Sequence, residues 1–308
     1  MIELTGLTKR YGDTTAVNGL TFSVHPGRVT GFLGPNGAGK STTMRLILGL
    51  DRPTAGSATI DGHRLVDFPA PLTKVGALLD AKAVPGGRSG RDHLIALAAT
   101  HGLRRARVDQ VLELCGLGAA ARKPVKAYSL GMSQRLGIAA ALLGDPEVLI
   151  LDEPVNGLDP EGVLWVRGLV RHLAHEGRTV FLSSHLMSEM AQTADHVVVI
   201  GQGRLLADAP IQDLLTQQSE TATRVRSPHA TAIAQAFGGR PGVRVTIEGP
   251  DTLVLHGVEP LPVGQAAAAA GWIILELAPV VSSLEDAYLQ LTDEAVEYRS
   301  ADLVGARA

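Results

Sequence analysis

Cysteine is nearly absent: one residue, Cys115, occurs in 308. That excludes an internal disulfide and any cysteine-ligated zinc site. A lone thiol is expected as a small core residue. Aromatic residues make up only 4%, so the core must rest on Leu, Val, Ile and Ala. No long apolar run occurs. The most apolar stretch, 265–275, is shorter than the ~20 residues a spanning helix needs. The opening Met1-Ile2-Glu3-Leu4 has neither a basic nor an apolar leader pattern. These absences predict a soluble chain of the reducing cytoplasm, reaching a membrane only through another protein. Net charge is −3, which argues against a non-specific nucleic-acid binder. With 45% apolar and 19% charged residues, the chain is neither disordered, collagen-like nor a coiled-coil rod.

Length allows about two domains. Residues 1–218 hold 22 Lys+Arg and 20 Asp+Glu, whereas 219–308 hold 6 and 11. The break follows the polar stretch Thr216–Thr221, so the junction is expected at 218/219.

Chemistry concentrates in the first part. Ile2–Leu4 and Leu20–Val24 alternate as strands, and Val29–Leu33 is a short buried-type run. It ends in Gly34-Pro35-Asn36-Gly37-Ala38-Gly39-Lys40-Ser41-Thr42, and Thr43–Leu48 then reads as helix. Strand, G-x-x-x-x-G-K-[ST], helix is the context of a phosphate-binding loop. Its glycines let successive N–H groups turn inward, and the helix N-terminus adds positive partial charge. Lys40 is placed to reach β- and γ-phosphates, and the Ser41 hydroxyl to hold Mg²⁺. A second buried run, Val148–Leu151, ends in Asp152-Glu153. Asp152 is expected as the second Mg²⁺ anchor. Glu153, on the opposite side of the strand by alternation, is left free to polarise a water. Thr179–Ser184 leads to His185, at a strand end where ligands of open α/β sheets bind.

These residues, in this order, resemble the ATP-binding subunit of an ABC transporter over roughly 1–218. The resemblance implies an α/β P-loop NTPase core with a helical signature subdomain at about 81–144. It makes Tyr11, in Lys9-Arg10-Tyr11-Gly12, an adenine-stacking residue. Gly34 to Thr42 match Walker A, Val148 to Glu153 match Walker B, Asn156-Gly157-Leu158-Asp159 the D-loop and His185 the switch histidine. Leu94, Leu97 and Ala98, then Val108, Val111, Leu112 and Leu114, recur at helical spacing in the subdomain. The signature place is held by Tyr128-Ser129-Leu130-Gly131-Met132, where the general pattern is L-S-G-G-Q. Leu130 and Met132 replace a Gly and the Gln, while Ser129 and Gly131 remain to act on a γ-phosphate from across a dimer interface. S-L-G-M variants resemble the antibiotic and drug exporter branch, similar to daunorubicin-resistance ATPases. No Gln lies between Gly62 and Asp109, so Asp80 stands at the Q-loop position, where the resemblance implies a contact with Mg²⁺ or the attacking water. The loop Ala81–Ser89 would face a membrane partner.

What the resemblance implies is ATP hydrolysis, with Mg²⁺, by a homodimer at the cytoplasmic face of the membrane. That dimer would drive export of an antibiotic or amphipathic compound through a separate polytopic permease, with no nucleic-acid partner. A soluble ABC ATPase of ribosomes or nucleic acid would carry two cassettes or a coiled-coil insert; this sequence has one cassette and no heptads. A non-hydrolysing ATP-binding module is suggested by Asp80 and the altered signature, and opposed by Glu153 and His185. A GTPase would carry N-K-x-D, which is absent.

The last ninety residues read as strand (222–226), helix (230–237), strand (243–247), strand (253–255), helix (263–270), strand (272–277). This β-α-β-β-α-β order predicts a small α+β ferredoxin-like accessory domain. Exporter-type ATPases, which the chain resembles, often carry such an extension; the resemblance implies a dimerisation or regulatory role, with a small-molecule sensor pocket or a purely stabilising appendage as alternatives. A closing helix is expected at Leu284–Leu291.

Overall fold

A computed structural model describes residues 1–217, 221–280, 284–285 and 288. The chain divides into two compact units, Met1–Ile211 and Gln212–Ala287.

The first unit opens with the hairpin β1 (Ile2–Tyr11) and β2 (Thr14–Val24), followed by β3 (Val29–Leu33) and α1 (Lys40–Ile47). Then come β4 (Ala55–Ile60), the single turn α2 (Pro71–Lys74) and β5 (Val75–Leu78). Three helices follow, α3 (Gly90–Thr100), α4 (Arg105–Leu114) and α5 (Leu130–Ala141), within the expected helical segment. Next are β6 (Val148–Leu151), α6 (Pro160–His175), β7 (Thr179–Ser183), α7 (Met187–Thr193), β8 (His196–Gly201) and β9 (Arg204–Pro210). The helix α8 (Ile211–Gln217) starts in this unit at Ile211 and otherwise belongs to the second. β1 and β2 run further than the alternation reaches. Their outer halves carry Lys9, Arg10, Thr14 and Thr15, held by hairpin pairing rather than burial. β4, β8 and β9 are elements that the sequence reading left unassigned.

Two sheets result. One is antiparallel, in the order β2-β1-β4. The other runs β5-β6-β7-β3-β8-β9, parallel except for β9. All residues of β3, β6, β7 and β8 are buried, as a parallel sheet covered on both faces requires. The sheets meet through Phe22 on β2, Phe32 on β3 and Phe181 on β7, with ring centroids 4.9 to 6.0 Å apart. Three of the chain's five phenylalanines therefore hold one junction, with Ile2, Leu4, Met44, Ile47, Val198 and Ile200 around them. Cys115, at the end of α4, is fully buried, and burial pushes its thiol pKa up to about 12. It is the core residue expected.

In the second unit β10 (Ala222–Arg226), α9 (Ala230–Gly238), β11 (Arg244–Ile247), β12 (Thr252–His256), α10 (Pro260–Ala270) and β13 (Glu276–Pro279) follow in the expected order. The sheet order β11-β12-β10-β13 is antiparallel throughout, the ferredoxin-like arrangement. Val225, Ile233, Phe237, Leu253, Leu255 and Val263 form its core. One strand is corrected: β13 begins at Glu276, not Trp272. Gly271 ends α10 in left-handed backbone (φ 66°), and the Trp272 N–H still bonds the Ala267 carbonyl. Residues 272–275 are spent on that turn. The expected helix at Leu284–Leu291 lies largely outside the described residues.

Phe181→Ala should destabilise the first unit by about 3–5 kcal/mol, since its ring is the centre of the junction. Urea unfolding followed by tryptophan fluorescence measures it. A loss below about 1 kcal/mol would contradict the aromatic junction.

Candidate active site

The loop between β3 and α1 is shaped by backbone that only glycine fits. Gly37 and Gly39 have φ of 82° and 102°. A methyl group on Gly39 would overlap the Ala16 carbonyl oxygen, and one on Gly34 would lie 2.6 Å from the Ile200 carbonyl. The loop thus curls between β2 and β8. Lys40, at the start of α1, is buried, and its Nζ donates to the carbonyls of Gly34 (2.6 Å) and Pro35 (3.2 Å). Burial lowers its pKa, and the nearby Glu153 and Asp152 charges oppose that shift.

A cleft of about 320 Å³ opens beside this loop. Asn36, Gly37, Ala38, Gly39, Lys40, Ser41, Thr42, Asp152 and Glu153 line it, together with Ala16 and Leu79. Ser41 Oγ donates to Asp152 Oδ2 at 2.6 Å, so loop and β6 end meet directly. Gly34 and Pro35 contribute the carbonyls that hold Lys40.

Glu153 departs from the expected geometry. Alternation would place it opposite Asp152, but β6 ends at Leu151 and Glu153 takes a left-handed φ of 51°. That break in alternation brings both carboxylates to one cleft. Glu153 Oε2 lies 2.7 Å from His185 Nδ1 and accepts the His185 backbone N–H at 3.3 Å. His185 follows β7 and precedes α7. That helix is pinned by the Arg167–Glu189 ion pair at 2.6 Å and by Met190, whose thioether fills the space a side chain at Gly31 would take.

Two further residues act here. Ser183, fully buried at the end of β7, donates Oγ–H to Asp152 Oδ1 at 2.5 Å and accepts the Glu153 N–H at 2.9 Å. Gln134, buried on α5, donates Nε2–H to the Glu153 carbonyl at 3.0 Å. Neither was singled out in the sequence. A signal existed for Gln134: it shares the helical face of the buried Ile138 and Ala141, a polar residue in an apolar stripe.

Other expected residues stand apart from the cleft. Ser129 caps α5, accepting the Met132 N–H at 3.1 Å. Asp159 caps α6, accepting from Gly162 N at 2.8 Å. Neither Ser129 nor Gly131 lines the cleft. Tyr11 is half exposed at the end of β1. Its hydroxyl donates to Asp51 at 3.1 Å, and Lys9 Nζ sits 4.8 Å from its ring centroid. Asp51 also takes Arg45, which holds its carboxyl below the usual range. Asp80 does not line the cleft; its Oδ1 accepts the Lys82 N–H at 2.8 Å.

A family model described as "ABC transporter" matches residues 17–156, and one described as a domain of unknown function matches 221–285. The chain is 43% identical to the bacitracin transport ATP-binding protein BcrA of Bacillus licheniformis, over 70% of this chain and 71% of that protein. It is 36% identical to the daunorubicin resistance ATP-binding protein DrrA3 of Streptomyces coeruleorubidus, over 98% of this chain and 94% of that one. The chain belongs to the ABC transporter ATP-binding family. Among solved structures, an ATP-binding subunit of an ABC transporter superposes with a TM-score of 0.65 at 28% identity, over 70% of this chain and 92% of that one. The dimeric cassette MJ0796 superposes at 0.63 and 23% identity, over 68% and 99%, a likeness of fold. The first unit is thus an ABC ATPase, and no described helix is long and apolar enough to cross a membrane.

Ser183→Ala removes one hydroxyl that serves both carboxylate-bearing residues. It should lower ATP turnover by roughly 10- to 100-fold while nucleotide affinity stays within a few-fold, because the phosphate loop is untouched. Turnover and equilibrium nucleotide binding measure the two. Lys40→Ala should do the reverse, losing nucleotide affinity first. Undiminished ATP binding by that variant would contradict the loop assignment.

Proposed function

We propose that this chain is the ATP-hydrolysing subunit of an exporter, working as a homodimer on a separate polytopic membrane subunit at the cytoplasmic face. The cargo class is an antibiotic or similar amphipathic compound. One observation carries this: the match to the daunorubicin resistance protein extends over 98% of the chain and so takes in the second unit as well as the ATPase.

In this reading the loop N–H groups and Lys40 hold the ATP phosphates. Ser41 and Asp152 suit Mg²⁺ as a hard-oxygen pair. Among the described residues no larger His, Cys, Asp and Glu group exists that could hold a metal unaided. An ion sharing its coordination with water and phosphate fits two such ligands. Bound there, Mg²⁺ would neutralise phosphate charge. Glu153 orients the attacking water and accepts its proton. His185, held against Glu153, presents its other ring nitrogen to the γ-phosphate. Tyr11 offers its half-exposed ring to adenine, and the loop Ala81–Ser89, which begins just after Asp80, meets the membrane subunit.

Ser129 and Gly131 serve the partner's nucleotide. Their absence from their own cleft supports that assignment. Neither chain then completes a site alone, and ATP draws two copies head to tail.

Glu153→Gln should keep ATP binding, lose most turnover and accumulate as an ATP-bound dimer. Tagged Glu153→Gln protein, recovered with ATP from solubilised membranes, should bring down a small polytopic membrane protein. Recovery with ribosomes, or only in the soluble fraction, would sink the exporter reading. Gly131→Asp should abolish turnover without weakening ATP binding by the monomer; normal turnover in that variant would remove the signature assignment.

A further inference from the structure

The signature of this chain departs from the family pattern at Leu130. That residue is the first of α5 and is 49% exposed, although an apolar side chain at a polar turn gains little from water. Its environment supplies a reason. Gly157, in the 156–159 loop, lies under it in left-handed backbone, φ 73°. A methyl group on Gly157 would overlap Leu130 Cδ2 and Cγ and come within 3.3 Å of its Cβ. The neighbouring Gly131 faces the same loop: a methyl there would sit 3.4 Å from the Gly157 carbonyl and from Leu158 Cδ2.

Leu130 is one of three contacts that α5 makes with the segment 153–165. One turn on, Gln134 donates to the Glu153 carbonyl. Arg135 stacks its guanidinium 4.6 Å from the Trp165 ring centroid on α6. The first turns of α5 are therefore held to that segment at three points, Glu153, Gly157 and Trp165. The missing side chain at Gly157 is the socket that lets Leu130 take part.

We propose that Leu130 is a positioning residue, keyed over Gly157, which makes the signature turn and the 156–159 loop move as one body. Signature position in this chain is thereby set by its own 156–159 loop. The leucine and the glycine form a matched pair, so a change in one requires a change in the other. This rests on the reading that Ser129 and Gly131 act on the partner's nucleotide.

A double-mutant cycle on the full-length protein tests it. Gly157→Ala carries two costs, left-handed strain and overlap with Leu130. Leu130→Ala removes only the overlap, so the strain cancels in the cycle. Steady-state ATPase kinetics, normalised to nucleotide-binding stoichiometry, give the readout. Gly157→Ala alone should lower kcat by about tenfold and leave the KM for ATP within about twofold, because the ATP-binding loop of the same chain is not touched. In the Leu130→Ala background the same change should cost no more than about twofold. Leu130→Met, which can still cover Gly157, should keep near-native turnover, whereas Leu130→Ala should not.

Equal losses from Gly157→Ala in both backgrounds would overturn the pairing, leaving backbone strain as the whole effect. If Gly157→Ala fails to fold, Leu130→Met against Leu130→Ala decides, and equal activities overturn the proposal. Gly131→Asp separates the two levels. If it retains turnover, the signature reading itself fails; if it is inactive while the cycle is additive, only the coupling fails.

Discussion

The site depends on one residue held in an unfavourable backbone. Glu153 at φ 51° lies where a side chain costs of order 1–3 kcal/mol, so the surroundings must enforce it. Three do: Ser183 on its N–H, Gln134 on its carbonyl and His185 on its carboxylate. They come from β7, from α5 and from the turn before α7. A strained turn restrained from three directions has little freedom to drift, and reorganisation at the reacting centre is what a hydrolytic site must avoid. The same three bonds connect the helical segment, the sheet and the turn that leads into α7 through a single residue.

Much of this was legible because some motifs specify backbone. The glycines of 34–39 announce conformations no other residue adopts cheaply, and the strand-loop-helix setting of Lys40 follows from them. The ferredoxin-like order of the second unit was legible from alternation and turns. What escaped were residues whose partners are main-chain atoms far along the sequence. Ser183 reaches back thirty residues and Gln134 reaches forward nineteen, and neither has a pattern that names its partner. Asp80 teaches a related lesson. It occupies the right place in the chain, but a short carboxylate satisfies the nearest donor, Lys82 N, and the cleft takes Leu79 instead. The expected opposition of Asp152 and Glu153 failed because alternation stops where the strand does.

The second unit is built on packing. Its buried hydroxyls are absorbed by the fold: Thr223 Oγ1 donates to the Val258 carbonyl and Ser227 Oγ to that of Ile273, both at 2.6 Å. Thr246 Oγ1 lies 3.2 Å from His256 Nε2, a hydroxyl–imidazole contact that joins the paired strands β11 and β12.

The placing of β3 between β7 and β8 reaches back to the birth of the chain. The Val29 N–H is satisfied by the Asp195 carboxylate, 166 residues later. The strand that carries the phosphate loop thus leaves the ribosome long before either neighbour exists. At about 5–20 residues per second it waits of the order of 10–30 s, an apolar ribbon without a sheet. For that interval β3 depends on whatever shields nascent chains. Only when Ile200 has been made can the loop close against it and a nucleotide find its place.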